Sequence, residues 1–165
     1  MKRTLITTFA LILLASIASA NNGRGGGADF GRDGGQAIVG SDGTLYIART
    51  TVDTGTNTAT TTVTAISPSG STVWTATLAT RGGLRLSGSN LISVSETRAS
   101  DGTVTSTLTA LSTATGAVAW TRTLSGDVTE LEPFNGGTYV ITVSSSTRSI
   151  TALDNGGNVL WTVTA

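Results

Sequence analysis

Short runs of alternating apolar and polar residues, separated by glycine-rich turns, occupy most of the chain from Gln36 onward. A period of two places successive side chains on opposite faces of a strand, so each run predicts a β-strand with one apolar face. In residues 73–78, for example, Val73, Thr75 and Thr77 alternate with an apolar set, Trp74, Ala76 and Leu78. No segment after residue 20 has the 3.6-residue period of an amphipathic helix. The pattern therefore predicts an all-β fold.

Turn residues divide these runs into twelve strands, four in each of three segments. The dipeptides Asp-Gly and Asn-Gly recur between the runs, and they favour tight turns in which φ is positive. The predicted strands cover residues 36–39, 44–51, 58–67 and 72–78, then 84–86, 90–97, 103–112 and 117–124, then 129–132, 138–144, 149–154 and 158–164.

One motif occurs once in each segment: Ala-Ile or Ala-Leu, then a glycine, then a tryptophan four residues after that glycine. The three glycine and tryptophan pairs are Gly70 and Trp74, Gly116 and Trp120, and Gly157 and Trp161. Successive tryptophans are 46 and 41 residues apart, close to the length of a four-stranded propeller blade. Apolar pairs at 45–46, 91–92 and 139–140 precede the tryptophans by 29, 29 and 22 residues, so the third repeat is expected to be shorter by seven.

The repeated motif resembles the PQQ-like repeat of quinoprotein alcohol dehydrogenase-like β-propellers. The resemblance includes the Gly-Ser-Asp-Gly-Thr-Leu-Tyr segment at 40–46 and extends over residues 36–165. It implies four-stranded antiparallel blades at about 36–80, 81–126 and 127–165. It also implies that Trp74, Trp120 and Trp161 dock between neighbouring blades, where a wide indole buries a large apolar area. An exposed platform that stacks on carbohydrate is the alternative role for these indoles.

Three blades are fewer than the four to eight with which propellers close. We therefore expect a partial propeller or open arc, whose two free faces favour self-association to complete a ring. A longer stack of arcs and a fragment of a larger propeller are the alternatives. Residues 36–39 are interpreted as an outermost strand and residues 158–164 as a third strand, so that closure of the ring would pair the two.

The first 35 residues predict an export signal and a spacer. Residues 1–20 combine a basic start, an apolar stretch and a small-residue cleavage site, which is typical of a secretory signal peptide. Residues 21–35 contain seven glycines and predict a flexible lead-in. We therefore expect a secreted or periplasmic protein with no stable membrane insertion after cleavage.

The amino-acid composition further limits the reactions and the partners that we expect for this chain. The chain has no Cys and no His, so it offers no imidazole base, no thiolate nucleophile and no disulfide. Its 33 threonines favour strands. Without residues 1–20 the chain has eight arginines against ten acidic residues, and this net charge of −2 does not favour nucleic acid as a partner.

The chain lacks a complete set of the catalytic residues that enzymes of the resembled family use. Enzymes of the resembled family bind pyrroloquinoline quinone and calcium with an Asp base, and several use a Cys pair that this chain lacks. Calcium binding at Asp29 and Asp33, or at Asp53 and Asn57, falls short of the six to eight oxygens that calcium takes. A same-face carboxylate pair on one strand suits glycoside hydrolysis, but more often such a pair is a charged edge that discourages strand addition; the pair here is Glu130 and Glu132. We assign no catalytic, cofactor or metal site.

The sequence favours a secreted, non-enzymatic binding or scaffold module built of propeller blades. Turns near Asp42, Asn90 and Asn135 are expected to form its contact surface, for a protein or glycan partner. The alternatives are a truncated fragment of a quinoprotein dehydrogenase-like propeller and an extracellular structural or adhesive protein.

Overall fold

The computed structural model describes residues 35–164, so the predicted signal peptide and most of the glycine-rich lead-in lie outside the described residues. The described chain consists of twelve strands, and each lies within two residues of the predicted bounds. Among these residues no helix is long and apolar enough to cross a membrane. The strands are β1 Gln36–Val39, β2 Leu45–Asp53, β3 Thr58–Ile66, β4 Thr72–Leu78, β5 Leu84–Ser87, β6 Asn90–Arg98, β7 Val104–Ser112, β8 Val118–Ser125, β9 Asp127–Phe134, β10 Gly137–Ser144, β11 Thr147–Asp154 and β12 Val159–Thr164.

The strands form three four-stranded antiparallel sheets, β1–β4, β5–β8 and β9–β12, each in simple meander order. The all-β prediction and the four-stranded blades are confirmed, and none of the three sheets closes into a barrel. The expected role of the terminal strands is wrong. Residues 36–39 form the first strand of a complete blade, and β12 is the fourth strand of its own sheet. Short connections pair each strand with the next one in sequence, so no blade is assembled from the two ends of the chain.

The register also corrects the alignment of the third blade. Trp74 lies opposite Ala65, and Ala65 opposite Tyr46, whereas Trp161 lies opposite Ala152, and Ala152 opposite Tyr139. The equivalent of the 45–46 pair is therefore 138–139, and the third repeat is shorter by six residues rather than seven. The loss falls in the β10–β11 hairpin, whose connection is residues 145–146, against 54–57 in the first blade.

Each blade has two faces, which we call front and back. The front face carries the tryptophan, and the front faces of the first and second blades pack on the back face of the next blade. The first interface contains the buried residues Tyr46, Ala48, Val63, Ala65, Leu78, Leu84, Leu91 and Leu111. The second contains Ile92, Val94, Leu108, Ala110, Val128, Leu131, Val140 and Leu153. Burial of each large apolar side chain stabilises the fold by about 1.5 to 3 kcal/mol. These two interfaces are therefore the core of the molecule.

The first strands of the blades lie next to one another. β5 contacts both β1 and β9. The side chain of Gln36 extends this contact, because its amide nitrogen donates to the Leu84 carbonyl at 2.8 Å and its amide oxygen accepts from the Leu84 N–H at 2.6 Å. One side chain thus supplies the hydrogen bonds that a strand partner would otherwise supply.

A tryptophan lying on a glycine closes each interface between blades. A Cβ atom added to Gly116 would lie 2.5 Å from the Trp74 ring, and one added to Gly157 would lie 2.5 Å from the Trp120 ring. Each indole nitrogen also donates across the interface, from Trp74 to the Thr113 carbonyl at 2.8 Å and from Trp120 to the Asn155 carbonyl at 2.9 Å. Because these ring faces are covered, neither indole is free to stack on carbohydrate.

The two inner glycines meet two requirements at once, a positive φ and contact with an indole. Gly116 has φ +71°, whereas Gly102, in the β6–β7 turn, has φ +87° with nothing within 4 Å of an added Cβ. We expect Gly102→Ala to lower the free energy of unfolding by about 1 to 2 kcal/mol from the left-handed backbone alone. Gly116→Ala should cost about 1 to 3 kcal/mol more, because its methyl group overlaps the Trp74 ring.

Urea unfolding of the two alanine variants measures this difference. Equal losses of stability in the two variants would contradict a packing role for Gly116.

Candidate functional site

One end of the molecule carries six turns, and we call this end the turn surface. In an antiparallel meander, the turn between the first two strands and the turn between the last two strands emerge at the same end of the sheet. The turn surface therefore comprises residues 40–44 and 67–71 of the first blade, 88–89 and 113–117 of the second, and 135–136 and 155–158 of the third.

Hydrogen bonds join turns of this surface within and between blades. Within the second blade, the Thr113 N–H and hydroxyl both donate to the Ser89 carbonyl, at 2.9 and 3.0 Å. Between blades, the Asn90 amide donates to the Asn155 carbonyl at 2.8 Å. That carbonyl also accepts from the Trp120 indole, so one backbone oxygen fixes a turn of the third blade to two side chains of the second.

Aspartates stiffen individual turns. The Asp42 carboxylate accepts from the Thr44 N–H at 3.0 Å and from the Thr44 hydroxyl at 2.9 Å. These bonds, the backbone N–H first, lower the pKa of Asp42. In the third blade, Asn158 donates to Asp154 through its side chain and its N–H, and this lowers the pKa of Asp154. Both aspartates are ionised at neutral pH, so the turn surface carries fixed negative charge.

The structure separates the three residues that sequence reasoning placed in contact loops. Asp42 and Asn135 are exposed in the first turns of the first and third blades. Asn90 is only 5% exposed, and its amide binds the neighbouring blade. Asn90 is therefore a packing residue, and the expectation that the turns near Asp42, Asn90 and Asn135 contact a partner stays a prediction. The signal missed at this position is its place at the first residue of β6, directly after a two-residue turn.

The opposite end contains a cavity of about 460 Å³ between the first two blades. It is lined by Ala59, by the connection at residues 79–82 and by residues 94–96 of β6. Burial, a hydrogen bond to the Asp127 side chain and the negative charge of Asp127 together raise the pKa of Glu96 to about 7, against the opposing charge of Arg98. At neutral pH, Glu96 is close to half protonated.

No sequence signal identified the contact between Glu96 and Asp127. The two residues are separated by 31 positions and belong to different blades. Only the arrangement of blades brings them together, so neither residue stands out by spacing or motif.

The candidate calcium ligands that the structure describes have hydrogen-bond partners within the chain. Asp53 accepts from the N–H groups of Gly55 and Thr56, which lower its pKa. Asn57 has φ +53° and accepts from Arg81. Asp29 and Asp33 lie outside the described residues. Between residues 35 and 164, no three His, Cys, Asp or Glu side chains are grouped closely enough to hold a metal ion.

Glu130 and Glu132 do face the same side of β9, opposite Ile141 and Tyr139. β9 is an edge strand of its sheet, and the Glu130 carboxylate lies 3.6 Å from the Arg148 guanidinium. This placement fits a charged edge better than a pair of catalytic carboxylates.

Three meander blades with an indole at each internal interface define the class of protein, a β-propeller-type repeat protein. A family model described as outer membrane protein assembly factor BamB, PQQ_2, matches residues 59–165. The chain belongs to this family of PQQ-like repeat proteins. A search of curated proteins found no significant match.

The protonation of Glu96 predicts a specific dependence of stability on pH. The folded protein holds the Glu96 proton up to about pH 7, whereas the unfolded chain releases it near the ordinary value of 4.5. The folded state is therefore destabilised as the pH rises from 4.5 to about 7. We expect Glu96→Gln to flatten this part of the stability profile and to be more stable than the wild type above pH 7.

Urea unfolding across this pH range measures the effect, and Glu132→Gln, at an exposed position on β9, is the control. The control should keep the slope of the wild type. A wild-type slope in Glu96→Gln would show that Glu96 is not the group responsible.

Proposed function

We propose that this chain is an exported, non-enzymatic protein-binding module that contacts its partner through the turn surface. The observation that carries the proposal is the set of hydrogen bonds that fixes turns at one end, within the first blade and between the second and third blades. The family name connects the matched proteins with outer membrane protein assembly, and we propose that the partner of this chain belongs to that process.

A rigid surface suits binding because little conformational entropy is lost when the complex forms. Turns 40–44 and 155–158 are held by aspartate side chains, and turn 113–117 is held by Ser89. Their exposed side chains are mostly short hydroxyl, amide and carboxylate groups. Such a surface recognises a polar protein surface by hydrogen bonds, with little apolar area to stick elsewhere.

Export is the second part of the proposal. Residues 1–20 have the charge and hydrophobicity of a signal peptide. A chain without cysteine tolerates an oxidising compartment such as the periplasm without forming unwanted disulfides. This address is compatible with the family name.

Site-specific photo-crosslinking in the source cells tests the contact surface. Asp42 and Asp101 are a matched pair: each is exposed in an Asp-Gly turn, and each accepts from the N–H two residues later, at 3.0 and 2.9 Å. Asp42 lies on the turn surface, and Asp101 lies at the opposite end. We expect a photoreactive residue at position 42 or 135 to give the same discrete protein adduct, and the residue at position 101 to give none.

The measurement is the mass of the adduct and the identity of the captured protein by mass spectrometry. No adduct from positions 42 and 135, or an equally strong adduct from position 101, would overturn the proposed contact surface. Capture of a protein outside outer membrane assembly would overturn the proposed process and leave the binding surface in place.

A further inference from the structure

The two interfaces between blades share one arrangement of two faces, which we call the plan. Each of these two faces occurs once more, uncovered, at one end of the arc of three blades. The plan consists of a front face with a tryptophan and a back face with a glycine turn. It operates between Trp74 and Gly116 and again between Trp120 and Gly157. Trp161 and Gly70 are the remaining halves, and within the described residues neither faces a neighbouring blade.

The front face of the third blade has an uncovered apolar part around Trp161, and Glu130 and Glu132 lie on the same face at its β9 edge. Trp161 is 45% exposed, and Val163 on the same face is 54% exposed. Tyr139 lies between Phe134 and Trp161, with ring centroids 4.4 and 5.7 Å away. The equivalent of Tyr139 in the first blade, Tyr46, is 3% exposed because the second blade covers it. Aromatic side chains of this front face therefore pack beside the Trp161 indole without a neighbouring blade.

The back face of the first blade is the matching half. Ile66 is half-buried, whereas its equivalents Leu111 and Leu153 are 1% and 0% exposed under a preceding blade. Val39, on the same face and separated from Ile66 by Leu45, is 63% exposed. Gly70 has φ +86° with nothing within 4 Å of an added Cβ, so the place that an indole fills at Gly116 and Gly157 is open.

The turn before Gly70 also matches a turn already used in the structure. The Gly70 N–H donates to the Ser67 carbonyl at 2.9 Å, as the Gly157 N–H donates to the Asp154 carbonyl at 3.0 Å. Pro68 therefore takes the place of Asn155, whose carbonyl accepts from an indole. The indole nitrogen of Trp161 makes no hydrogen bond to any residue that the structure describes, and the Pro68 carbonyl is the acceptor that the plan supplies.

We propose that the front face of the third blade docks on the back face of the first blade of a second copy of this chain, with Trp161 of one copy lying on Gly70 of the other. The same contact formed twice joins two copies into one closed ring of six blades. Six lies within the four to eight blades of closed propellers, whereas three copies would give nine. A head-to-tail contact is consistent with a closed ring, because each copy contributes one face of each kind.

Light scattering on a size-exclusion column tests the proposal with the full chain and two disruptive variants. Trp161→Arg places a charge on the front face, and Gly70→Asn fills the open place in a backbone conformation that Asn tolerates. We expect the wild type to have twice the mass of one chain, and both variants to have half the mass of the wild type. Far-ultraviolet circular dichroism should show the same β-sheet content in all three proteins.

Two matched controls separate docking from general damage. Gly102→Asn makes the same change at φ +87°, also in open space, at the opposite end of the molecule. Val118→Arg places the same charge on a side chain that is 57% exposed on the outer strand of the middle blade. Both controls should keep the wild-type mass.

The outcomes decide the proposal in either direction. A wild type with the mass of one chain would overturn it and point to further blades as the occupants of the two faces. A mass above two copies would overturn the closed ring. A mass of two copies that survives both Trp161→Arg and Gly70→Asn would show that the copies meet elsewhere. Pro68 and Gly70 belong to the turn surface, so the mass of a crosslinked adduct separates the two proposals: an adduct with a second copy of this chain reports docking between copies, and an adduct with a different protein reports the proposed partner.

Discussion

An indole lying on a glycine in the next blade is the contact on which the rest of the structure depends. Flat sheets with short side chains leave space between them, and the ring of Trp74 or Trp120 fills that space while its nitrogen binds a backbone carbonyl. The glycine is required because any side chain would occupy the position of the ring. The same contact fixes a turn of the following blade, and in this way the packing between blades sets the geometry of the turn surface.

Hydroxyl groups on the third strands provide a second link, between a blade and its connection to the next blade. The buried Thr61 hydroxyl donates to the Thr80 carbonyl at 2.7 Å, and the buried Ser106 hydroxyl donates to the Gly126 carbonyl at 2.7 Å. In both cases a side chain on the third strand of one blade satisfies the backbone of the connection to the next. Buried backbone groups of a connection would otherwise lack partners. Threonine therefore serves the strand and the connection at once.

The sequence was sufficient for the elements of this fold. Alternation and turn residues, glycine above all, predicted all twelve strands, and the repeated glycine and tryptophan identified the blade. Sequence reasoning was insufficient where the surroundings of a residue depend on the packing of blades or on strand register. Asparagine is a residue type common in exposed turns, yet the Asn90 amide lies in the interface with the third blade. Glu96 and Asp127 are distant in sequence, and only the packing of the blades brings Asp127 close enough to raise the pKa of Glu96. The one-residue misalignment at Tyr139 arose because Val140 is also apolar, and only the register with Ala152 distinguishes the two.

The meander order of the sheets has a consequence for how the protein forms during synthesis. Each strand pairs only with strands adjacent in sequence, so the strands of a blade are able to pair as soon as its own forty or so residues have emerged, and the blade is stabilised when the next one packs on it. Its tryptophan then precedes the glycine that receives it by 42 residues for Trp74 and 37 for Trp120. Every newly formed blade thus exposes an apolar face until the next one arrives, and growth proceeds in one direction, from the amino terminus towards Trp161. A pause in chain elongation after either of the first two blades would leave such a face open to other proteins, so the speed of elongation itself protects the fold.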